Sequence, residues 1–274
     1  MPLMNLILIA LIQGITEFLP ISSSGHLALF PALSGEEDQG ILIDVAVHVG
    51  TLVAVVAYFW REVRDAVFGG LHILSGRVST PQAKLALLLI LATIPVVVCG
   101  LAMGLAGLSD LLRNVKVIAW ATLIFGVVLW AADRYGGLEK QGDAWGWRDA
   151  ALMGLAQAVA LIPGTSRSGI TITAGRALGY ARVDAARIAM LMSVPTILAA
   201  GALASLDLIQ SGDAALGLDA AIAAGLSCIA AFLALSVMMK MLETWSLTPF
   251  VLYRLALGAA LLVWIYGFGG PASA

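Results

Sequence analysis

Charged residues are scarce in this chain. Asp, Glu, Lys and Arg make up 12% of its 274 residues, whereas hydrophobic residues make up 61%. An ordinary soluble domain has about 25% charged and about 45–50% apolar residues. One soluble core cannot hide so large an apolar excess, because its surface must face water. The composition therefore excludes an ordinary soluble protein and predicts a protein embedded in lipid.

Cysteine, histidine and net charge are low as well. The two cysteines, Cys99 and Cys228, both lie inside apolar runs, which excludes a disulfide framework as the basis of the fold. The three histidines are scattered and form no zinc-binding pattern with the cysteines. A net charge of -2 offers no strongly basic surface, so we expect no nucleic-acid partner.

Six apolar stretches are long enough to cross a bilayer as helices, which takes about 20 mostly apolar residues. They run approximately from Ile43 to Trp60, Leu85 to Ala106, Val117 to Ala132, Ile188 to Leu206, Ala220 to Met239 and Phe250 to Phe268. These stretches predict an all-α membrane protein with six transmembrane helices.

Two further apolar stretches, Leu3–Leu33 and Ala150–Leu178, are interrupted in the middle. The interruptions read FLPISSSGH at residues 18–26 and IPGTSRSG at residues 162–169. Pro removes a backbone donor and Gly relaxes the chain, so a helix must break at each place. A broken backbone at membrane depth is tolerated only where protein or a wet cavity satisfies it. We therefore predict two re-entrant helix-loop-helix hairpins.

The two interrupted stretches also resemble each other. Gln13 and Gln157 precede the breaks, and Pro95 and Pro195 lie in a second pair of similar segments. This similarity predicts one transmembrane domain built as an inverted-topology repeat. The halves would cover about 1–132 and 149–268, joined by a loop at 133–148.

Basic residues predict the orientation, because cytoplasmic loops favour Lys and Arg. Twelve of them fall on one side in a consistent threading: Arg61, Arg64, Arg77, Lys84, Arg134, Lys140, Arg148, Arg176, Arg182, Arg187, Lys240 and Arg254. The opposite side receives Arg113, Lys116 and two loops without a basic residue, around 36–38 and 207–219. In this threading the first hairpin enters from outside and the second from the cytoplasm.

Glu17 is the only carboxylate between Met1 and Leu33. A charge at membrane depth costs roughly 2.5–3.5 kcal/mol even by the lower estimates, so it should face a polar cavity and have a partner. Gln13 lies four residues earlier on the same helical face, and His26 follows the break. The alternative is a polar cluster that only holds helices together.

Arg167 is the only cation between Ala150 and Gly175. Its fork of donors matches phosphate oxygens, and the helix start after the break points backbone N–H groups at an anion. The predicted phosphate cradle comprises Ser166, Arg167, Ser168 and Thr171, with Gln13, Ser22 and Ser24 of the first break as further substrate-binding residues. The alternative is that Arg167 simply neutralises Glu17 as a buried ion pair.

Together the two breaks contain the groups that phosphate hydrolysis needs, because phosphoryl transfer depends mostly on positioning and charge stabilisation. Glu17 with Gln13 would hold a divalent cation, Mg²⁺ or Ca²⁺, since hard cations prefer oxygen ligands. Ser23 or Ser24 would attack, activated by His26 or Glu17. Alternatively His26 attacks, or protonates the leaving phosphate. These residues alone do not decide between the alternatives.

Both breaks resemble motifs of the undecaprenyl-diphosphatase family, which is linked to bacitracin resistance. Gln13 and Glu17 match its (Glu/Gln)-x-x-x-Glu motif, and PGTSRSGIT at residues 163–171 matches Pro-Gly-x-Ser-Arg-Ser-x-x-Thr. The segments 18–26, 44–51 and 59–61 are similar to the family as well, and the resemblance covers nearly the whole chain.

This resemblance implies an enzyme that removes the terminal phosphate of undecaprenyl diphosphate, a polyprenyl lipid, and recycles the carrier for cell-wall synthesis. It implies a multi-pass protein of the bacterial inner membrane, an active site on the extracytoplasmic side and a need for a divalent cation. Family roles extend to Gln13, Glu17, Ser23, His26, Ser166, Arg167 and Thr171. Gln at the first motif position departs from a metal site with two carboxylates. A homodimer is compatible with the sequence but not required by it.

The rival class is a transporter or flippase of polyprenyl phosphate lipids, because inverted repeats and broken helices are typical of transporters. The set of Glu17, Ser23 and His26 exceeds what anion binding needs and favours an enzyme. A channel is disfavoured, since no ring of like charges appears. His48, near the start of the first predicted span, is interpreted as a structural polar contact.

Overall fold

The computed structural model describes residues 2–35, 40–108, 112, 114–211 and 217–269. Arg113, the acidic residues at 36–38 and residues 212–216 of the predicted loop around 207–219 lie outside this part of the chain. Within it there are eleven α-helices and no β-strand. The predicted all-α class is confirmed.

The helices follow one another with short connections. Their bounds are α1 Leu3–Phe18, α2 Ser23–Ser34, α3 Gly40–Tyr58, α4 Trp60–Leu74, α5 Pro81–Leu105, α6 Val115–Tyr135, α7 Trp147–Ala158, α8 Arg167–Ala177, α9 Arg182–Ser211, α10 Gly217–Leu242 and α11 Thr248–Gly267. Thr80 and Asn114 cap α5 and α6, since their side chains accept from Ala83 N at 3.1 Å and Val117 N at 2.9 Å.

Five helices are long and apolar enough to cross a membrane, namely α5, α6, α9, α10 and α11. A sixth candidate is α3, which passes the same test when it is joined to α4. The chain bends by 95° between α3 and α4. The protein is therefore a multi-pass membrane protein with five or six spans, close to the predicted number.

The segment after α3, for which the sequence predicted only a cytoplasmic basic stretch between two spans, is largely helical. It forms α4, a helix with exposed apolar residues such as Phe68 and Leu71, and with Arg64 stacked 5.0 Å from the ring centroid of Trp60. Exposed apolar residues beside basic ones are typical of a helix that lies in the membrane interface. Because of the sharp bend after Tyr58, the axis of α4 runs almost perpendicular to the axis of α3.

The two interrupted stretches form pairs of short helices, α1 with α2 and α7 with α8. At about 1.5 Å per residue none of these four helices reaches the roughly 30 Å of a hydrocarbon core. The broken helices of the prediction are confirmed. Each pair packs on a long helix from the other half of the chain: α1 lies on α10, and α7 lies on α5.

In each of these two helix contacts, a glycine lets the two backbones approach closely. A Cβ at Gly14 would lie 2.7 Å from Ser227 O in α10, and a Cβ at Gly154 would lie 2.7 Å from Ala92 O in α5. Small residues let helix backbones approach in this way in membranes. The two hairpins are therefore held in place by the opposite half of the chain.

A polar cluster holds together the end of the molecule that the threading places in the cytoplasm. The Asp133 carboxylate accepts from Arg176 Nε at 3.1 Å, Arg182 Nε at 2.7 Å and Leu247 N at 3.0 Å. Arg176, predicted to lie on the cytoplasmic side, is fully buried within this cluster. It is retained inside because carbonyl oxygens and Asp133 satisfy its donors.

Candidate active site

A cavity of about 500 Å³ lies where the two breaks meet. Its wall includes Glu17 from α1, residues 22–24 from the first break, and Ser166 with Arg167 from the second break. Helices α3, α5 and α9 complete the wall. A largely apolar cavity with a few converging polar groups is the usual form of a small-molecule or lipid-headgroup site.

Each of the two breaks contains a serine with the same unusual backbone conformation. Ser22 has φ 76° and Ser166 has φ 72°, and they are the only non-glycine residues with positive φ in the described part of the chain. Each serine caps the helix that follows it, because Ser22 Oγ accepts from Gly25 N at 3.3 Å and Ser166 Oγ accepts from Gly169 N at 3.0 Å. Such strained residues persist only where their surroundings fix them, and they concentrate at functional sites.

Glu17 and Arg167 meet although they are 150 residues apart in sequence. Arg167 Nη2 donates to Glu17 Oε1 at 2.8 Å. The other carboxylate oxygen, Oε2, accepts from Ser23 Oγ at 2.6 Å and from Gln13 Nε2 at 2.9 Å. The predicted convergence of the acid, the guanidinium and a serine is thus present in the structure.

The second guanidinium nitrogen of Arg167 is an unsatisfied donor. Its Nη1 is buried and has no hydrogen-bond partner among the described residues. A buried unpaired donor of a cation is costly unless a ligand completes it. Helix α8 begins at Arg167, and because the N-terminus of a helix carries partial positive charge, this end of the cavity favours an anion.

The structure separates the remaining predicted residues from the cavity wall. Gln13 is fully buried behind Glu17. Ser168 Oγ donates to Leu19 O at 2.9 Å and so joins the two breaks, while Thr171 Oγ1 donates to Arg167 O at 2.7 Å. The side chains of Ser168 and Thr171 therefore support the wall from behind.

His26 lies apart from the Glu17–Arg167 pair. Its Nδ1 lies 2.7 Å from Ser22 O, and its Nε2 lies 2.6 Å from Tyr253 OH in α11. It does not line the cavity. These contacts favour a role for His26 in holding the Ser22 turn in place. They do not favour proton transfer by His26 at the Glu17–Arg167 pair.

The sequence over residues 6–260 matches the family described as Bacitracin resistance protein BacA. The chain belongs to this family. Proteins named undecaprenyl-diphosphatase are similar to it over almost their whole length. The one from Jannaschia sp. is 60% identical over 266 residues, covering 97% of this chain and 100% of the relative.

Other relatives give the same family assignment. The undecaprenyl-diphosphatase of Ruegeria pomeroyi is 60% identical over 262 residues, covering 96% of this chain and 98% of the relative. That of Maricaulis maris is 47% identical over 266 residues, covering 96% and 99%. The resemblance expected from the two motifs is confirmed.

In this BacA-family chain, two titratable residues of the cavity wall were not among the predicted site residues. His48 and Asp44 line the cavity from α3, and His48 Nε2 lies 4.0 Å from Glu17 Oε2. His48 Nδ1 also lies 2.7 Å from Asp44 O. The available signal was an acid and a histidine four residues apart near the start of an apolar span, which places both on one helical face.

The oxygen atoms beside Glu17 suit a hard cation. The described residues contain no group of three or more His, Cys, Asp or Glu that could hold a metal. Gln13 Oε1, however, is buried without a partner next to the Glu17 carboxylate. Mg²⁺ is usually bound by one or two carboxylates together with substrate phosphates. The BacA-family site fits a cation of this kind, shared with a phosphorylated ligand.

Proposed function

We propose that this chain is a membrane phosphatase that hydrolyses undecaprenyl diphosphate to undecaprenyl phosphate and inorganic phosphate. Its role would be to recycle the lipid carrier for cell-wall synthesis. The observation that carries the proposal is Ser23 Oγ held 2.6 Å from a Glu17 carboxylate that also pairs with Arg167. The name undecaprenyl-diphosphatase of the relatives supports the phosphatase and not the lipid transporter.

Ser23 is the nucleophile that the geometry favours among the three candidates. Ser24 Oγ lies 3.3 Å from Ser22 Oγ and bonds to no carboxylate among the described residues, and His26 contacts Tyr253 and does not line the cavity. Ser23 Oγ would attack the terminal phosphorus as Glu17 takes its proton, and the bond from phosphorus to the bridging oxygen would break. Undecaprenyl phosphate leaves, and water then releases phosphate from Ser23.

Arg167 would stabilise the charge of the phosphoryl group during transfer. Its unpartnered Nη1 provides one donor, and Nη2 provides another when phosphate oxygens compete with Glu17. Ser22, Ser24 and Ser166 line the same cavity and would donate to the phosphates. Ser168 and Thr171 would act from behind by holding the second break.

A divalent cation, Mg²⁺ or Ca²⁺, is part of this proposal. Glu17 and Gln13 would hold it through oxygen atoms, with phosphate oxygens of the substrate as further ligands. When bound, such an ion neutralises negative charge on the diphosphate. Gln13 Oε1, buried without a partner, supports this assignment.

The apolar part of the cavity supports a lipid substrate. Gly100 and Met103 of α5 face Ile197 and Ala200 of α9 across it, and Ala200 is exposed at the molecular surface. A cavity with a polar end and an apolar opening between two membrane helices accommodates a headgroup and the start of a prenyl chain. The lipid would enter sideways from the bilayer.

The position of the cavity supports an extracytoplasmic active site in a bacterial inner membrane. Gly100 and Met103 lie near the end of α5, which is the end closer to Lys116. Under the positive-inside rule the loop with Arg77 is cytoplasmic, so the opposite end of α5 faces outward. Two inverted halves, about 1–132 and 149–268, remain our interpretation of the internal similarity, and a homodimer stays a prediction.

The proposal is tested by phosphate release from purified protein in detergent with a prenyl diphosphate. Wild type should release phosphate with Mg²⁺ or Ca²⁺ and lose this activity in excess chelator. Ser23→Ala should lower kcat by at least about 1000-fold, as expected for loss of a nucleophile. Ser24→Ala should cost about 10- to 100-fold, the cost of one hydrogen bond to a charged phosphate.

Glu17→Gln and Arg167→Lys extend this test to the ion pair. Both should lower kcat strongly, because the first removes the proton acceptor and the second the planar fork of donors. Size-exclusion profiles and helical content are compared with wild type to confirm folding. Wild-type rates in Ser23→Ala, or equal losses in Ser23→Ala and Ser24→Ala, would remove Ser23 from its assigned role.

A further inference from the structure

Arg254 of α11 is a fully buried cation whose partners are all backbone carbonyls. Nη1 donates to Pro20 O at 3.1 Å and Thr165 O at 2.9 Å, and Nη2 donates to Gly164 O at 3.0 Å. The remaining donors reach α6 at Thr122 O and Ala121 O, at 3.1 and 3.4 Å. No carboxylate pairs with it among the described residues. Arg254, counted above with the cations on the cytoplasmic side, is thus a buried contact within α11.

One guanidinium group thus fastens both breaks to the same helix. Pro20 lies two residues before Ser22, and Thr165 lies immediately before Ser166. Because a peptide unit is planar, holding the Thr165 carbonyl also fixes the direction of the Ser166 N–H. The Arg254 contacts therefore bear on the two strained serine turns that shape the cavity wall.

We infer that Arg254 is a positioning residue for phosphate hydrolysis, and this inference rests on the proposed function. It sets the first break, which presents Ser23 and Glu17, against the second break, which presents Arg167. Arginine suits this role because its planar fork offers five N–H donors, whereas lysine offers three without a fixed plane. Arg254 touches no atom of the proposed reaction and acts only through the two backbones.

Arg176 provides a matched control. It is also fully buried and also donates to backbone carbonyls, at Asp133, Gly136 and Gly137. Its partners lie in the polar cluster around Asp133 and include neither break. Substitution of either arginine removes a buried, satisfied guanidinium, but only Arg254 connects the two breaks.

The experiment compares Arg254→Lys with Arg176→Lys in purified protein, using the folded fraction that elutes as wild type. Rates of phosphate release from a prenyl diphosphate are measured per folded molecule. Arg254→Lys should lower kcat by about 100-fold, the scale of a 1 Å displacement of catalytic groups. Its KM should change by less than about threefold, since the phosphate-binding donors are still present. Arg176→Lys should keep kcat within about threefold of wild type, because it contacts neither break.

Methionine at the same positions provides a second pair. Arg254→Met should lose at least as much kcat as Arg254→Lys, and Arg176→Met should lose folded yield but not kcat. Parallel changes in kcat for the two positions, or a change confined to KM, would refute the inference. Failure of both Arg254 variants to fold while the Arg176 pair folds would show a structural role and refute it too. An inactive wild type would instead contradict the proposed function.

Discussion

At the scale of single residues, the serine turns set the direction of the helices that face the cavity. Ser22 and Ser166 each combine a positive φ with a capping hydroxyl. Glycine adopts positive φ without strain but has no hydroxyl. Alanine has no hydroxyl either, and it is strained at positive φ. The two properties can therefore be separated by substitution at one position.

Substitution of Ser166 should show this separation as a difference in stability. Ser166→Gly should leave the free energy of unfolding within about 0.5 kcal/mol of wild type, because relief of strain offsets the lost cap. Ser166→Ala should cost about 1–3 kcal/mol, since it loses the cap and keeps the strained φ. Thermal unfolding midpoints in detergent measure both. Equal midpoints for the two variants would contradict the strained-turn interpretation.

The sequence was sufficient to pair Glu17 with Arg167, because each is a costly charge inside an apolar stretch and each cost is relieved by the other. It could not place His26 or Arg254. One residue of uncertainty in the start of α2 rotates every following side chain by about 100° around the helix, so the direction of His26 could not be predicted. The partners of Arg254 are backbone carbonyls. Every residue has one, so the sequence does not indicate which of them Arg254 contacts.

At the scale of helices, close contacts between small residues position the cavity wall. A Cβ at Gly50 of α3 would lie 2.2 Å from Ala224 O in α10. Ser227 Oγ also donates to Val47 O at 2.9 Å in the same interface. Helix α3 carries Asp44 and His48 to the cavity, so its distance from α10 affects the site.

Gly50→Ala should push α3 away from α10 and destabilise the protein by about 1–3 kcal/mol, the usual cost of overpacking. Gly225 of α10 is the control, because a Cβ there has nothing within 4 Å. Gly225→Ala should be neutral or stabilising by up to about 1 kcal/mol, from helix propensity alone. Thermal unfolding midpoints and phosphate release are measured on both variants. A stable Gly50→Ala variant would mean that the contact is looser than described.

The prediction of helices from sequence succeeded for long apolar runs and failed for α4. A run of about 20 apolar residues has few alternatives to a membrane span, so five of the six predicted spans correspond to long helices. The residues after Tyr58 mix charged and apolar side chains, and this pattern fits a solvated loop as well as a helix at the interface. The 95° bend depends on the packing of α4 against α5, which local sequence does not specify.

At the scale of the whole molecule, orientation decides which side of the membrane receives the released phosphate. Arg77 and Lys116 lie beyond opposite ends of α5, and both are exposed. Single cysteines at these positions, in a chain without Cys99 and Cys228, would therefore report on opposite sides.

Lys116→Cys should react with a membrane-impermeant thiol reagent in intact cells or spheroplasts, because the basic loops are expected in the cytoplasm. Arg77→Cys should react only after the membrane is permeabilised. Mass-shift labelling read on gels measures both. The reverse labelling pattern would place the cavity opening on the cytoplasmic side and overturn the extracytoplasmic assignment.

Each hairpin packs on a long helix from the other half of the chain, and this arrangement restricts how such a protein could have evolved. A fragment that ends near residue 140 would contain Glu17 but would lack α10, on which α1 rests. A fragment that begins there would contain Arg167 but would lack α5, on which α7 rests. Neither piece is a smaller version of the enzyme. If the two halves are inverted, as the internal similarity predicts, an ancestor of half this length could have assembled the same centre only from two chains inserted into the bilayer in opposite directions.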